Sequence, residues 1–423
     1  MSLSRLPRLV FALVLSAILL AYSNLPPGDQ LQQVRAFTRD LEFDYISWTM
    51  DALGVKLSQF ALQVADRLPE KARRQVVLDY LDLVSRIHQA EAHLNDIYAD
   101  PDIPNPEITS RLVRTQLANL EAQRELLAPL AETILQSQIS QVTAELGLAM
   151  GGETIPPVLY HSTPLPTALI VSPRDAIRQD ANISLQPDLP ADERNTLEQE
   201  VDQALDVSSL VVDVGGIGVY PTMVIETTDL NFLTEVVAHE WIHNFLTLRP
   251  LGVSYLNGPE LRTMNETAAS IAGKEISRAV IERYYPELLP PPASPPSDEG
   301  PSEEGSSSPT TPVFDFREQM RDTRVTVDKL LSEGKVEEAE QYMGSRRAFF
   351  WENGYHLRKL NQAYFAFYGA YADQPGGAAG EDPVGAAVRD LRAQSPSLAA
   401  FIKRIAWMTS FEQLQRAVHE AAS

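Results

Sequence analysis

The sequence predicts a predominantly helical α+β fold, in which a small mixed sheet is flanked by a long N-terminal helical hairpin and a C-terminal helical part. Two observations lead to this prediction. Apolar residues recur at helical spacing over most of 26–152 and 314–423. Between these parts, 153–285 contains short β-branched runs separated by glycine and proline, which are typical of strands. A chain of 423 residues can hold two or three domains.

The N-terminal segment 1–25 has the layout of a secretory signal peptide or an N-terminal membrane anchor. Arg5 and Arg8 precede the uncharged apolar run Leu9–Leu20, and small residues that suit cleavage follow it. The run is short for a bilayer span, so cleavage and retention as an anchor both stay open. In either case we expect an exported protein, secreted or membrane-anchored at the outer face. If the segment is retained, the two arginines keep the N-terminus inside and the rest of the chain outside.

Composition narrows the classes of function. The chain has 57 acidic and 35 basic residues and a formal net charge of −22, so binding to nucleic acid is not expected, since phosphate repels such a surface. The absence of cysteine excludes disulfides and thiolate metal sites. A metal site in this chain would therefore use histidine and carboxylate ligands.

Three stretches of helical periodicity fill 26–152, which we predict to be an all-helical arm or lobe. The stretches are Val34–Leu68, Lys71–Tyr98 and Ile108–Leu148. Three prolines between the last two stretches mark a turn. We therefore expect these two long helices to pair as a hairpin.

The part 153–285 alternates strands with helices. Its β-branched runs predict strands over Thr167–Ser172, Ile183–Gln186, Leu210–Val214 and Val219–Glu226. A helix is predicted over Ala191–Leu205, and a more apolar one over Asp229–Leu248, where Thr228 or Asp229 can cap the start. A strand that leads into such a helix can hold an extended peptide at its free edge.

The second of these helices contains the sequence His239-Glu240-Trp241-Ile242-His243. Histidines four positions apart lie on one face of a helix, so both imidazoles can bind one Zn²⁺, with Glu240 beside the open coordination position. Because the chain has only seven histidines, a chance match is on the order of one in a hundred. The alternative is a surface helix with two solvated histidines. We predict His239 and His243 as zinc ligands and Glu240 as the general base.

A catalytic zinc needs a third protein ligand. Glu266 lies at the head of a further apolar helix that runs to about Tyr285, and Glu275 on the same helix is the alternative ligand. With Asn265 directly before the first of these glutamates, the sequence over about 169–285 resembles the gluzincins, the thermolysin-like superfamily of HExxH zinc metallopeptidases.

The resemblance implies that 153–285 is a zincin-like α/β part in which His239, His243 and Glu266 hold zinc. In the thermolysin-like pattern an Asp four residues past the ligand Glu orients the first His, whereas Ser270 stands at that position here. The contacts that orient the ligands should therefore differ from those of the superfamily.

The motif also indicates a mechanism. Zinc lowers the pKa of a bound water toward about 7, and Glu240 would take the proton of this water and pass it to the leaving amine. The resemblance implies an oxyanion donor, a Tyr or His from further along the chain. The candidates for this donor are Tyr355, His356 and Tyr364.

The segment 286–313 is rich in proline, serine and glutamate and is predicted to be a disordered loop. Helical periodicity returns over 314–423, which we expect to complete the cleft around the metal. Its helical runs are Val325–Glu333, Val336–Phe350, Leu357–Tyr371 and two helices within Leu391–Val418.

These observations predict a zinc-dependent metallopeptidase that hydrolyses a peptide or protein substrate outside the cytoplasm. Two alternatives stay open. The chain could be a zinc hydrolase of another bond or an inactive zinc-binding protein. It could also be a helical scaffold, attached to the membrane by its N-terminal segment, in which the histidine motif is incidental.

Overall fold

The computed structural model describes residues 30–62, 64–99, 105–187, 189–290, 314–369 and 383–422. Within these ranges the predicted fold class is confirmed, since helices predominate and the sheets have two or three strands. None of the described helices has both the length and the apolar character needed to cross a membrane. The predicted signal or anchor segment 1–25 lies outside the described residues.

The helices that precede the sheets are α1 (Gln30–Thr38), α2 (Tyr45–Leu62), α3 (Val64–Arg67), α4 (Glu70–Ala99), α5 (Pro106–Thr109) and α6 (Arg111–Thr143). The two long helices α4 and α6 pack against each other as the predicted hairpin. Leu83, Ile87 and Leu120 are buried in their contact. A π-helical turn, Ala144–Leu148, then leads into a two-stranded antiparallel ribbon of β1 (Ala149–Met150) and β2 (Glu153–Thr154).

The remaining strands are β3 (Tyr160–Ser162), β4 (Thr167–Pro173), β5 (Ala181–Leu185), β6 (Val207–Val212), β7 (Gly216–Ile217) and β8 (Thr222–Val224), and α7 (Ala191–Leu205) lies between β5 and β6 in the chain. The larger sheet consists of β4, β5 and β6, in which β4 is antiparallel to both of its neighbours. In the smaller sheet, β8 pairs parallel with β3 and antiparallel with β7, so β7 is an edge strand. The run predicted as one strand from Val219 is shorter, because Pro221 cannot donate a ladder hydrogen bond.

The helices that follow the sheets are α8 (Leu230–Thr247), α9 (Pro250–Val253), α10 (Pro259–Tyr284), α11 (Phe316–Ser332), α12 (Val336–Glu352), α13 (Gln362–Tyr368), α14 (Pro383–Gln394), α15 (Leu398–Ile405) and α16 (Phe411–Ala422). Between α10 and α11, Pro286–Leu288 form a 3₁₀ helix at the start of the segment predicted to be disordered, and its residues 291–313 lie outside the described ranges.

One apolar core joins parts of the chain that are distant in sequence. It contains residues of the α4–α6 hairpin, of α8 and α10, and of α14, α15 and α16. The larger sheet is buried on both faces: Ile170 packs in a second core with Phe350 and Phe365, while Leu169 packs in a third core with Val201 of α7. The helices α8 and α10, which carry His239, His243 and Glu266, are therefore enclosed by the hairpin on one side and by the last helices on another.

A buried ion pair fastens α2 and α6 to the smaller sheet. Lys56 Nζ lies 2.5 Å from Glu132 Oε2, and both side chains are at most 2% exposed. The other oxygen of Glu132 accepts a hydrogen bond of 2.9 Å from Ser162 N–H and lies 3.0 Å from His161 Nδ1. Burial acts to raise the pKa of Glu132, but Lys56 and His161 outweigh it and lower this pKa to about 2. The carboxylate thus stays ionised and holds β3 in place.

Candidate metal centre

Helix α8 turns three polar side chains toward one cavity. As predicted, Asp229 caps its start, because its side chain accepts hydrogen bonds from backbone N–H groups of the first turn. Trp241 and the apolar face of α8 are buried in the main core. This burial fixes the rotation of the helix, so that His239, Glu240 and His243 line the cavity together.

The two histidines meet Glu266 of the neighbouring helix α10. Their Nε2 atoms lie 3.0 Å apart. Glu266 Oε2 lies 3.5 Å from Nε2 of His239 and 3.3 Å from Nε2 of His243. Among the described residues, this is the group of histidine and acidic side chains whose ligand atoms lie close enough, within 4.8 Å, to hold a metal ion. The three residues that the sequence predicted as ligands thus lie together.

The close approach of α8 and α10 depends on Gly273. A Cβ atom at this position would lie 3.0 Å from the backbone oxygen of Glu235 and 3.1 Å from the Cβ of His239. A side chain at 273 would therefore push the two helices apart. Since the helices carry different members of the centre, their separation sets the distance between the imidazoles and Glu266.

Two hydrogen-bonding side chains orient the imidazoles. Nδ1 of His243 donates to Asn265 Oδ1 over 2.8 Å, which leaves its Nε2 available to a metal. Nδ1 of His239 lies 3.4 Å from the Oγ of Ser270. Ser270 thus contacts the same histidine that an Asp orients in the thermolysin-like pattern, although through a longer and weaker contact.

Glu266 is buried, and its two carboxylate oxygens have different surroundings. Oε1 accepts a hydrogen bond from the hydroxyl of Tyr255. Oε2 is also buried, has no hydrogen-bond partner, and is the oxygen that lies near both imidazole Nε2 atoms. A buried carboxylate oxygen without a partner is costly. A cation bound between this oxygen and the two imidazoles would remove that cost, so the residues fit a metal such as Zn²⁺.

The charges of the centre depend on burial and on each other. Burial acts to raise the pKa of Glu266, but the attraction of His243 and contacts with both imidazoles hold it well below its usual range. Burial acts to lower the pKa of His243, but Glu266 raises it to about 9. The attraction between Glu266 and the imidazoles thus favours an ionised carboxylate that faces positive charge.

Glu240 does not belong to the ligand group but lies beside it. Its pKa is raised, mainly by burial, because the attraction of His239 and His243 is too small to compensate. A carboxylate with a raised pKa in a cavity is suited to accept and return a proton.

Two glycines, Gly216 of the edge strand β7 and Gly218 just after it, approach Glu240 closely. A Cβ at Gly216 would lie 2.5 Å from Val236 Cγ1 and 3.0 Å from Glu240 Oε1. A Cβ at Gly218 would lie 3.1 Å from Glu240 Oε2. The sequence identified these glycines only as a turn between strands. Their close approach brings the free edge of the smaller sheet next to Glu240.

The cavity over these residues has a volume of about 420 Å³. Besides the metal group, its walls include Ile217 of β7, Tyr255 and Leu256 from the loop after α9, and Phe367 of α13. The volume lies within the range of small-molecule and peptide side-chain pockets. Phe367 is the lining residue that comes from the C-terminal part.

The three predicted oxyanion donors lie elsewhere. The ring of Tyr355 stacks on Phe316, with centroids 4.4 Å apart, and His356 packs against Trp351, with centroids 4.1 Å apart. Tyr364 is buried in the second core against the larger sheet. None of the three is among the residues that line the cavity beside His239, Glu240 and His243. Tyr355 and His356 are exposed, whereas Tyr364 is buried in a core.

The alternative third ligand, Glu275, is also separate from the metal group. Both of its oxygens accept hydrogen bonds from Arg392 of α14, over 2.6 Å and 2.8 Å. This ion pair joins α10 to the last helices on the side of α10 that Glu266 does not occupy.

Sequence reasoning missed Tyr255 and Arg262, which both line the cavity. Tyr255 lies in the short irregular loop between α9 and α10, where no periodic spacing relates it to the metal ligands. The one available signal was its position between the two predicted metal-binding helices.

Comparison of the chain with protein-family models, with curated proteins and with solved structures finds no match. Function is therefore inferred from the residues and geometry of the centre.

Proposed function

We propose that this protein is a zinc-dependent metallopeptidase of the gluzincin type, which hydrolyses peptide bonds outside the cytoplasm. The observation that carries the proposal is the convergence of three ligand atoms, Nε2 of His239, Nε2 of His243 and the unpartnered Oε2 of Glu266. Two imidazoles and one carboxylate are a known ligand set of catalytic zinc. The location of the protein outside the cytoplasm is proposed from residues 1–25, whose composition is that of a secretory signal.

The proton transfers are assigned to Glu240. When bound, the ion would supply Lewis acidity that activates water and polarises the substrate carbonyl. The Glu240 carboxylate, buried at the cavity wall, would accept a proton from the attacking water and then donate it to the leaving amine nitrogen. Asn265 and Ser270 would keep the imidazoles in orientation during these steps.

The free edge of β7 favours a peptide as the substrate over molecules with other hydrolysable bonds. Among the described strands, β7 pairs only with β8, so its other side can form backbone hydrogen bonds with an extended chain. Gly216 and Gly218 have no side chains that would hold such a chain away from Glu240. A peptide bond could thus reach the cavity between the edge strand and the ligands.

The test is hydrolysis of a peptide library by the purified full-length chain loaded with Zn²⁺. We expect cleavage that a chelator abolishes and that added Zn²⁺ restores, because the ligands are ordinary side chains that bind metal reversibly. His239→Ala, prepared in the same way, should cleave none of the peptides. A zinc-loaded chain that hydrolyses esters or other bonds but no peptide would favour the alternative hydrolase instead.

A further inference from the structure

Tyr255 contacts two of the three proposed ligands. Its hydroxyl donates a hydrogen bond to Oε1 of Glu266. Its ring meets the imidazole of His243 edge-on, with centroids 6.2 Å apart and planes at 87°. The tyrosine lies in the loop between α9 and α10, within the segment of chain that joins α8 to α10.

Arg262 holds the hydroxyl of Tyr255 in place. Its Nε donates to the tyrosine oxygen over 3.3 Å, and its Nη1 donates to the backbone oxygen of Ala366 over 2.8 Å. Arg262 is only 7% exposed, so the positive charge next to the phenol oxygen is poorly screened. A cation that donates to a hydroxyl makes that hydroxyl a stronger donor to its next partner. The hydrogen bonds therefore run in one direction, from the guanidinium through Tyr255 to Glu266.

The phenol stays protonated in this position. Burial raises the pKa of Tyr255 far above its usual value, and the negative charge of Glu266 raises it further. Since an ordinary tyrosine is already protonated at neutral pH, its hydroxyl proton is available to the carboxylate there.

We propose that Tyr255 is the positioning residue of the third ligand: its hydroxyl occupies Oε1 of Glu266, so that the carboxylate binds the metal through Oε2 alone. The inference rests on the metal centre proposed above. A carboxylate with two free oxygens can bind a cation through both, which fills a coordination position. Oε1 accepts the hydrogen bond of the phenol, and Oε2 lies near both imidazoles. A metal would therefore find only Oε2 available to bind. This keeps a position open for water or substrate.

The test is Tyr255→Phe in the full-length chain, which removes the hydroxyl and keeps the ring that packs on His243. We expect the dissociation constant for Zn²⁺, measured by competition with a chromophoric chelator, to rise about 10–100-fold, the usual effect of losing a group that holds a ligand. With Co²⁺ in place of Zn²⁺, the visible absorption should weaken, because a carboxylate that binds through two oxygens raises the coordination number.

The matched control is Tyr364→Phe, which removes the hydroxyl of another buried tyrosine that does not line the cavity. Its Zn²⁺ affinity and Co²⁺ spectrum should equal those of the wild type. Circular dichroism of the metal-free variants checks that both are folded.

The outcomes separate this inference from the proposed function. Wild-type affinity and an unchanged Co²⁺ spectrum in Tyr255→Phe would overturn the positioning role and leave the metal centre intact. Loss of peptide hydrolysis with unchanged affinity would also overturn it, because Tyr255 would then act on the substrate. A wild-type chain that binds no Zn²⁺ would instead refute the proposed metal centre itself.

Discussion

Replacing Glu240 with Gln should abolish peptide hydrolysis while the zinc stays bound. Gln has the shape of Glu but cannot accept a proton from water, and the Glu240 carboxylate lies beside the ligand group without belonging to it. General-base catalysis typically contributes about 10²–10⁴-fold to a rate, so the loss should be easy to measure. The measurements are the rate of peptide cleavage and the zinc content of the same preparation.

The control for this variant is Glu235→Gln, which changes a glutamate on the same helix that does not line the cavity. It should keep both activity and zinc. If Glu240→Gln lost zinc and activity to the same degree, Glu240 would be a ligand, and the assignment of the base would be wrong.

Replacing Glu266 with Ala should have the largest effect on metal binding. The substitution removes the one anionic residue of the proposed ligand set and leaves two imidazoles, which hold Zn²⁺ far more weakly than three ligands do. Loss of a group that only orients a ligand typically lowers metal affinity about 10–100-fold. We expect the affinity of Glu266→Ala for Zn²⁺ to fall by more than this. Activity should fall with it, since hydrolysis requires the bound ion.

Glu275→Ala is the matched control for this experiment. It removes a glutamate of the same helix whose carboxylate pairs with Arg392 rather than with the histidines. It should leave Zn²⁺ affinity close to that of the wild type. Tight zinc binding in Glu266→Ala together with weak binding in Glu275→Ala would exchange the two assignments.

Much of the fold could be predicted because local patterns determine it. The long helices α4 and α6 follow from uninterrupted apolar periodicity, and the start of α8 follows from Asp229, whose side chain caps the first turn. The HExxH spacing also fixes, from helix geometry alone, that His239 and His243 share a face. That Glu266 would join them depended on the family resemblance, because nothing local relates α10 to α8.

The features that escaped prediction depend on contacts between distant elements. Gly273 matters only because α10 packs against α8, and Gly216 only because β7 passes over Glu240. Aromatic residues such as Tyr364 suit both a cleft and a core, and here packing against the larger sheet buries them in a core. Tyr255 lies in a loop, where its direction depends on Arg262 and Glu266 rather than on a periodic pattern.

The central claim, that the chain holds a zinc ion, is tested most directly by its zinc content. The full-length chain is loaded with Zn²⁺, unbound metal is removed, and zinc is measured by inductively coupled plasma mass spectrometry. The wild type should retain about one zinc per chain, and the double variant His239→Ala, His243→Ala should retain almost none. A wild-type chain without zinc, or a double variant that still holds about one ion per chain, would contradict a metal centre built from His239, His243 and Glu266.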